Sequence, residues 1–167
     1  MSKQQTDKEI LIRGRVSKIS ATLETALARL MLVANIDNRK DEIIKFKGMN
    51  LGGKIVKACT ILQNYYPDIY RLNNEVFDVE LIKAKDFRNR ITHGMFKWHD
   101  SLSDSFQIWD VKMEEDKVHY FYPYEYTINE CLIGMDELKN VTRKVLGIVI
   151  DIEDRMKERK TDFWNLL

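Results

Sequence analysis

"EVFDVELIKAKDFRNRITHG", residues 75–94, decides how the chain is read. Phe77, Leu81, Ala84, Arg88 and Ile91 recur at spacings of three and four, which is the period of a helix with one buried face. Gly94 follows as the expected C′ residue, closing the helix in the left-handed conformation that glycine accepts. The end of this helix is also its most polar part. Arg88, Asn89 and His93 fall within six residues. Residues 81–97 carry Lys83, Lys85, Arg88, Arg90 and Lys97 against Asp86 alone, so five minus one gives +4.

The same period extends outward in both directions. Ile12, Val16, Ile19, Leu23, Ala26, Leu27, Leu30 and Val33 form one apolar stripe, predicting a long helix over about 6–36. "NIDNRKDEI", residues 35–43, interrupts it with turn formers and charges. A second helix is expected from Asn50 to about Asn64, with Leu51, Ile55, Ala58 and Leu62 on one face. Pro67 ends it or opens a short continuation. After Gly94 the pattern changes. "SFQIWDVKM" and "KVHYFYPYEY" are rich in aromatic and β-branched residues, and "EED" joins them. They predict a β-hairpin at about 99–126, with Pro123 at an edge or an end. A last helix, about 128–159, restores the helical period through Leu132, Met135, Leu138, Val145 and Ile148.

The expected fold is mainly α: one domain over 1–167, a four-helix bundle with a β-hairpin inserted between its last two helices. Four amphipathic helices of this size bury their stripes against one another. Composition agrees. Of 167 residues, 44% are hydrophobic and 32% charged, and only 7 are Gly and 2 Pro, favouring long helices over a many-turned β fold. No apolar run reaches the roughly 20 residues of a membrane span. Residues 1–15 are polar and lack an apolar signal core, so a cytoplasmic chain without a membrane partner is expected. Cys59 and Cys131 make no metal-knuckle spacing and are expected as buried free thiols.

"GMNLGGK", Gly48 to Lys54, matches the spacing of a phosphate-binding loop, but Ile55 stands where Ser or Thr must hold magnesium. It reads as a connection into the second helix. His99 and His119 show no metal-ligand spacing and are expected as surface or interface residues. Trp109, Tyr120, Phe121, Tyr122, Tyr124 and Tyr126 suit hairpin packing, and they can also stack on bases. Asp151, Glu153 and Asp154 read as a solvated helix face. "RMKERK", Arg155 to Lys160, reads as the end of the last helix.

On a helix, Asn89 and His93 share a face, whereas Arg88 and His93 lie about 140° apart, given steps of about 100° per residue. Arg88 is long and His93 terminal, so both can reach one groove. "RNRITH" resembles the Arg-Asn-(three residues)-His pattern of the HEPN superfamily, and it lies late in the third helix of a helical chain, as in that family. "NLGGKI" opening the second helix is similar to a glycine-containing opening in some members. The hairpin departs from the minimal family pattern.

The resemblance implies metal-independent RNA cleavage without a cofactor. Arg88, Asn89 and His93 would be catalytic, and Lys83, Lys85, Arg90 and Lys97 would attract RNA. It further implies a homodimer with a composite site, a toxin or antiviral role, and an antitoxin or regulatory partner. The chemistry suits these residues. RNA supplies its own nucleophile in the 2′-hydroxyl, His93 can move a proton, and Arg88 can hold a phosphate by two hydrogen bonds. Two further readings stand beside it. A basic last turn followed by Gly is also what a helix C-terminus favours in any protein. A noncatalytic helical module binding protein or RNA is the alternative function.

Overall fold

The computed structural model describes residues 2–34, 44–46, 48–100, 104–109, 111–114, 117–120 and 123–165. It is mainly helical with a small antiparallel sheet. Helix α1 spans Lys3–Ala34, α2 Leu51–Tyr65 and α3 Pro67–Leu72. A π-helical turn, Val76–Glu80, leads directly into α4, Leu81–His93. Five strands follow: β1 Met95–Trp98, β2 Ser105–Trp109, β3 Val111–Glu114, β4 Lys117–Tyr120 and β5 Tyr124–Thr127. Helix α5, Ile128–Asn165, ends the described chain. No described helix is long and apolar enough to cross a membrane.

The chain forms two compact units, Met1–Ala21 with Lys83–Lys139, and Thr22–Ile82 with Asn140–Leu167. In the second unit Leu23, Leu27 and Leu30 of α1, Ile55, Ala58 and Leu62 of α2, and Val145, Ile148 and Ile152 of α5 are all buried. These are the stripes that the helical period marks. At the start of α2 the Asn50 side chain accepts a hydrogen bond from the Gly53 amide at 2.8 Å, the preferred N-cap arrangement. The Gly-Gly-Lys segment is therefore the first turn of a helix rather than a loop. Lys54 is buried, ion-pairs with Glu24, and lies 5.6 Å over the Phe46 ring. Its ammonium is committed within the fold, which is the physical reason against a phosphate-binding loop. Cys59 is half-buried rather than sealed, and its thiol is pushed up to about 11 by burial and then by Asp78.

In the first unit the sheet order is β1-β2-β5, with β2 in the centre. Alternation sorts its faces: Phe96 and Trp98 of β1 and Phe106 and Ile108 of β2 are buried, while Met95 and Lys97 are exposed. Phe96 stacks on Phe106 with centroids 4.7 Å apart, and Trp98 meets the same ring at 4.7 Å. Pro123 stands just before β5, where its missing N–H costs no ladder bond. Two antiparallel pairings lie where a hairpin is expected, β2 with β5 and β3 with β4. The sheet begins earlier than position 99, because β1 extends it from Met95. Helix α5 opens with a capping box: the Thr127 amide donates to the Glu130 carboxylate at 2.6 Å, and the Glu130 amide donates to Thr127 Oγ1 at 3.1 Å. Leu132, placed on the buried stripe by its period, is exposed. Cys131 next to it is buried instead, and burial pushes its thiol up to about 12.

Gly94 fills a different role from the one its position suggests. Its backbone is not in the left-handed region, and its amide continues the helical pattern by donating to the Arg90 carbonyl at 2.8 Å. The requirement is space. A Cβ at this position would lie 2.2 Å from Ile108 Cγ2 and 2.6 Å from the Arg90 carbonyl oxygen. The end of α4 thus comes so close to β2 that no side chain fits. The turn formers at 35–43, Asp110, Glu115, Asp116, Phe121 and Tyr122 lie outside the described residues, as do the side chains of His119 and Tyr120.

Gly94→Ala is expected to cost about 1–3 kcal/mol, the usual penalty for overpacking a tight contact. Urea unfolding of the variant beside the parent chain checks this.

Candidate functional site at the end of helix α4

Arg88 shares a face of α4 with buried Ala84 and Ile91, at i−4 and i+3. Its stem starts on the inner side, and its head must travel outward to reach water. The result is a half-buried arginine whose Nε is buried and finds no hydrogen-bond partner among the described residues. Nη1 emerges at the surface. There it donates to Asn89 Oδ1 at 3.0 Å and meets His93 Nε2 at 3.2 Å. Five residues of separation on a regular helix disfavour that meeting. The length of the arginine and the exposed, terminal position of His93 allow it.

The three motif side chains therefore meet on one nitrogen. Guanidinium carries donors only, so in this contact His93 Nε2 is the acceptor. Asn89, exposed like His93, likewise accepts through Oδ1. Thr92 Oγ1 donates back to the Arg88 carbonyl at 2.7 Å, tightening the last turn beneath them. A cation, an amide and an imidazole are thus gathered at the open end of a helix.

The four lysines and arginines expected to attract RNA do not form one cluster. Lys85 is half-buried, lies three and four residues before Arg88 and Asn89, and pairs with Asp86 at 3.2 Å. Lys83 and Arg90 line a groove with Tyr126 of β5 and the first turns of α5. Arg90 is held there: its guanidinium lies 3.9 Å over the Tyr124 ring, and Nη1 donates to Tyr126 Oη at 3.5 Å. Lys97 stands on the exposed face of the sheet, opposite Gln107, whose partner in β5 is Glu125. His99 contacts Glu125 at 2.8 Å, and that contact, with Gln107, holds the carboxyl below the usual range.

Arg13 is the residue that sequence reasoning passes over. It sits in α1, and its guanidinium reaches the end of α4. Nη1 donates to the carbonyls of Ile91 at 3.0 Å and Thr92 at 2.8 Å, and Nη2 donates to that of Gly94 at 2.7 Å. Helix ends leave carbonyls unpaired, and here a fork of N–H groups supplies both the hydrogen bonds and the positive charge they favour. Glu9 accepts from Arg13 Nε at 2.8 Å, and the Phe96 ring lies 4.6 Å below the guanidinium. The three carbonyls bracket His93 in the chain. The backbone that carries the imidazole is thereby fixed from a helix about eighty residues away in sequence. Only its place in the apolar pattern of α1, beside Ile12, hints at an inward reach.

Arg13→Ala is expected to cost about 1.5–3 kcal/mol, the range for charge-assisted hydrogen bonds. Amide exchange should accelerate at 91–95 more than elsewhere in α4. Arg13→Lys should recover little, because one ammonium cannot reproduce the fork. Hydrogen exchange with mass spectrometry, alongside urea unfolding, reads both.

No protein-family model, curated protein or solved structure matches this chain. The likeness to the HEPN superfamily accordingly rests on the residues quoted from the sequence, and the function on the chemistry of the site.

Proposed function

We propose that the chain is a metal-independent endoribonuclease of HEPN type, with its long helices arranged as a four-helix bundle that carries the strands between the last two. The observation that supports this most directly is the convergence of Arg88, Asn89 and His93 on Arg88 Nη1 at 3.0 and 3.2 Å. The groups needed to cut a ribose-phosphate chain are then in one place. His93 Nε2 takes the proton of the 2′-hydroxyl or returns one to the leaving 5′-oxygen. Arg88 stabilises charge that builds on the phosphate oxygens, and Asn89 holds the guanidinium or an oxygen without adding charge. Attack by the 2′-oxygen on phosphorus breaks the bond to the 5′-oxygen. The products are a 2′,3′-cyclic phosphate and a 5′-hydroxyl.

In the resting arrangement Arg88 occupies the imidazole nitrogen that must act. A bound phosphate offers the guanidinium a stronger, charge-assisted partner. Moving to it, Arg88 releases Nε2 for proton transfer, so substrate binding and activation of His93 become one event. A homodimer would place two such pairs at one composite site, with an antitoxin or regulatory protein as a further partner and a toxin or antiviral role. The exposed Leu132 and Ile133 of α5 support the second reading, a noncatalytic module that binds protein or RNA.

His93→Ala should lower RNA cleavage by about 10²–10⁴-fold, the usual worth of a general acid or base. Arg88→Ala should lower it by about 10²–10³-fold, as loss of one oxyanion-stabilising group does. EDTA should leave the rate unchanged, and the products should carry cyclic phosphate. Cleavage of a labelled single-stranded RNA by the full chain tests all of this. RNA bound but uncut by the parent protein would select the noncatalytic module.

A further inference from the structure

We infer that the groove between α4 and the start of α5 is a base-binding site that takes guanine, and, resting on the nuclease reading, that it selects the nucleotide beside the scissile phosphate. The groove has a volume of about 330 Å³ and is open to solvent along one side. Its walls differ in sign. Lys83 and Arg90 stand seven residues apart on α4, and Glu130 and Glu137 seven apart on α5. Seven residues are close to two helical turns, so each pair lines one face of its helix. Asp86 also lines the α4 wall, so that wall carries two cations and one carboxylate, while the α5 wall carries carboxylates alone. The rings of Phe87 on α4 and Tyr126 on β5 also line it, with centroids 6.5 Å apart and planes tilted by 58°. Gly134 gives Phe87 its place: a Cβ there would lie 2.5 Å from Phe87 Cε2.

Those walls reject most ligand classes. A bare phosphate would meet the carboxylates, and an apolar ligand would strip water from charges without replacing it. A nucleobase brings a stacking face and polar edges together. Guanine alone among the four carries two acceptors, O6 and N7, on one edge and two adjacent donors, N1–H and N2–H₂, on another. Arginine bidentate to O6 and N7 is the commonest specific base contact, and carboxylates accept from base amino groups. Arg90 lies over Tyr124 and gives one N–H to Tyr126, and a guanidinium with five N–H groups keeps others to donate. On the opposite wall the Glu137 carboxylate makes no hydrogen bond or ion pair among the described residues. Glu130 uses Oε2 in the capping box and retains Oε1.

The groove also adjoins the motif. Asp86 lines it and lies three residues before Asn89; Arg90 lines it and lies three before His93. Such pairs are surface neighbours on a helix, about 5–6 Å apart. A base held by Arg90 would carry its ribose and phosphate toward His93.

The test is calorimetric titration of the full chain with GMP, AMP, CMP and UMP, repeated on Glu137→Gln. GMP should saturate, with the other three about tenfold weaker or more, the worth of a bidentate edge. Glu137 is exposed, so Glu137→Gln should keep the parent melting temperature yet lose about tenfold in GMP affinity. Equal binding of all four nucleotides, no binding of GMP at millimolar concentration, or GMP affinity untouched in Glu137→Gln overturns the inference. Selective GMP binding by a parent chain that cuts no RNA keeps the base site and removes the nuclease. RNA cleavage indifferent to guanine does the reverse.

Discussion

The first unit depends on how closely the last turn of α4 is drawn onto β2. Gly94 allows the approach, since any side chain there would overlap Ile108 and the Arg90 carbonyl. Arg13 makes the approach stable by giving the carbonyls of Ile91, Thr92 and Gly94 the donors that a helix end lacks. Neither works alone. Without the small residue the strand and helix stand apart; without the guanidinium, unpaired carbonyls would sit beside buried aromatic rings. The aromatic stack of Phe96, Trp98 and Phe106 then continues from this junction into the sheet.

That junction is also what gives His93 a defined position. An exposed side chain at a fraying helix end otherwise samples many orientations. Here the backbone on both sides of the histidine is fixed, while the imidazole stays at the surface with Arg88 and Asn89. Rigidity comes from Arg13 and Gly94, and accessibility from the terminal position. A loop of equal exposure would supply the second without the first.

The helices are legible in the sequence because burial of one face imposes a period of 3.6, and long stripes repeat it many times. Ile12, Val16, Leu23, Ile55 and Ala58 are sorted inward by that period alone, and all five are buried. Other features escape such a reading, each for a physical reason. Strand β1 is four residues long and begins one residue after a helix ends, too short for alternation to stand out. The π-helical turn at Val76–Glu80 keeps Val76 and Phe77 inward, so it resembles the helix it leads into. Leu132 follows the helical spacing yet lies outside the core, because the width of a buried stripe is set by what covers it. At the candidate site the motif spacing is readable, but the reach of Arg13 joins positions about eighty apart, and no local pattern records such a contact. The basic residues near the motif share a stretch of chain without sharing a place: Lys97 belongs to the sheet, and Arg90 to its tyrosines.

Arg88 is where the demands of folding and of chemistry diverge. Its Cβ grows from the inner face of α4, and its buried Nε goes without a partner among the described residues. A donor left in that condition is a cost of about 1–3 kcal/mol. A methionine or leucine would fill the same space without it. The outer end of the same side chain is satisfied, because Asn89 and His93 both meet its Nη1.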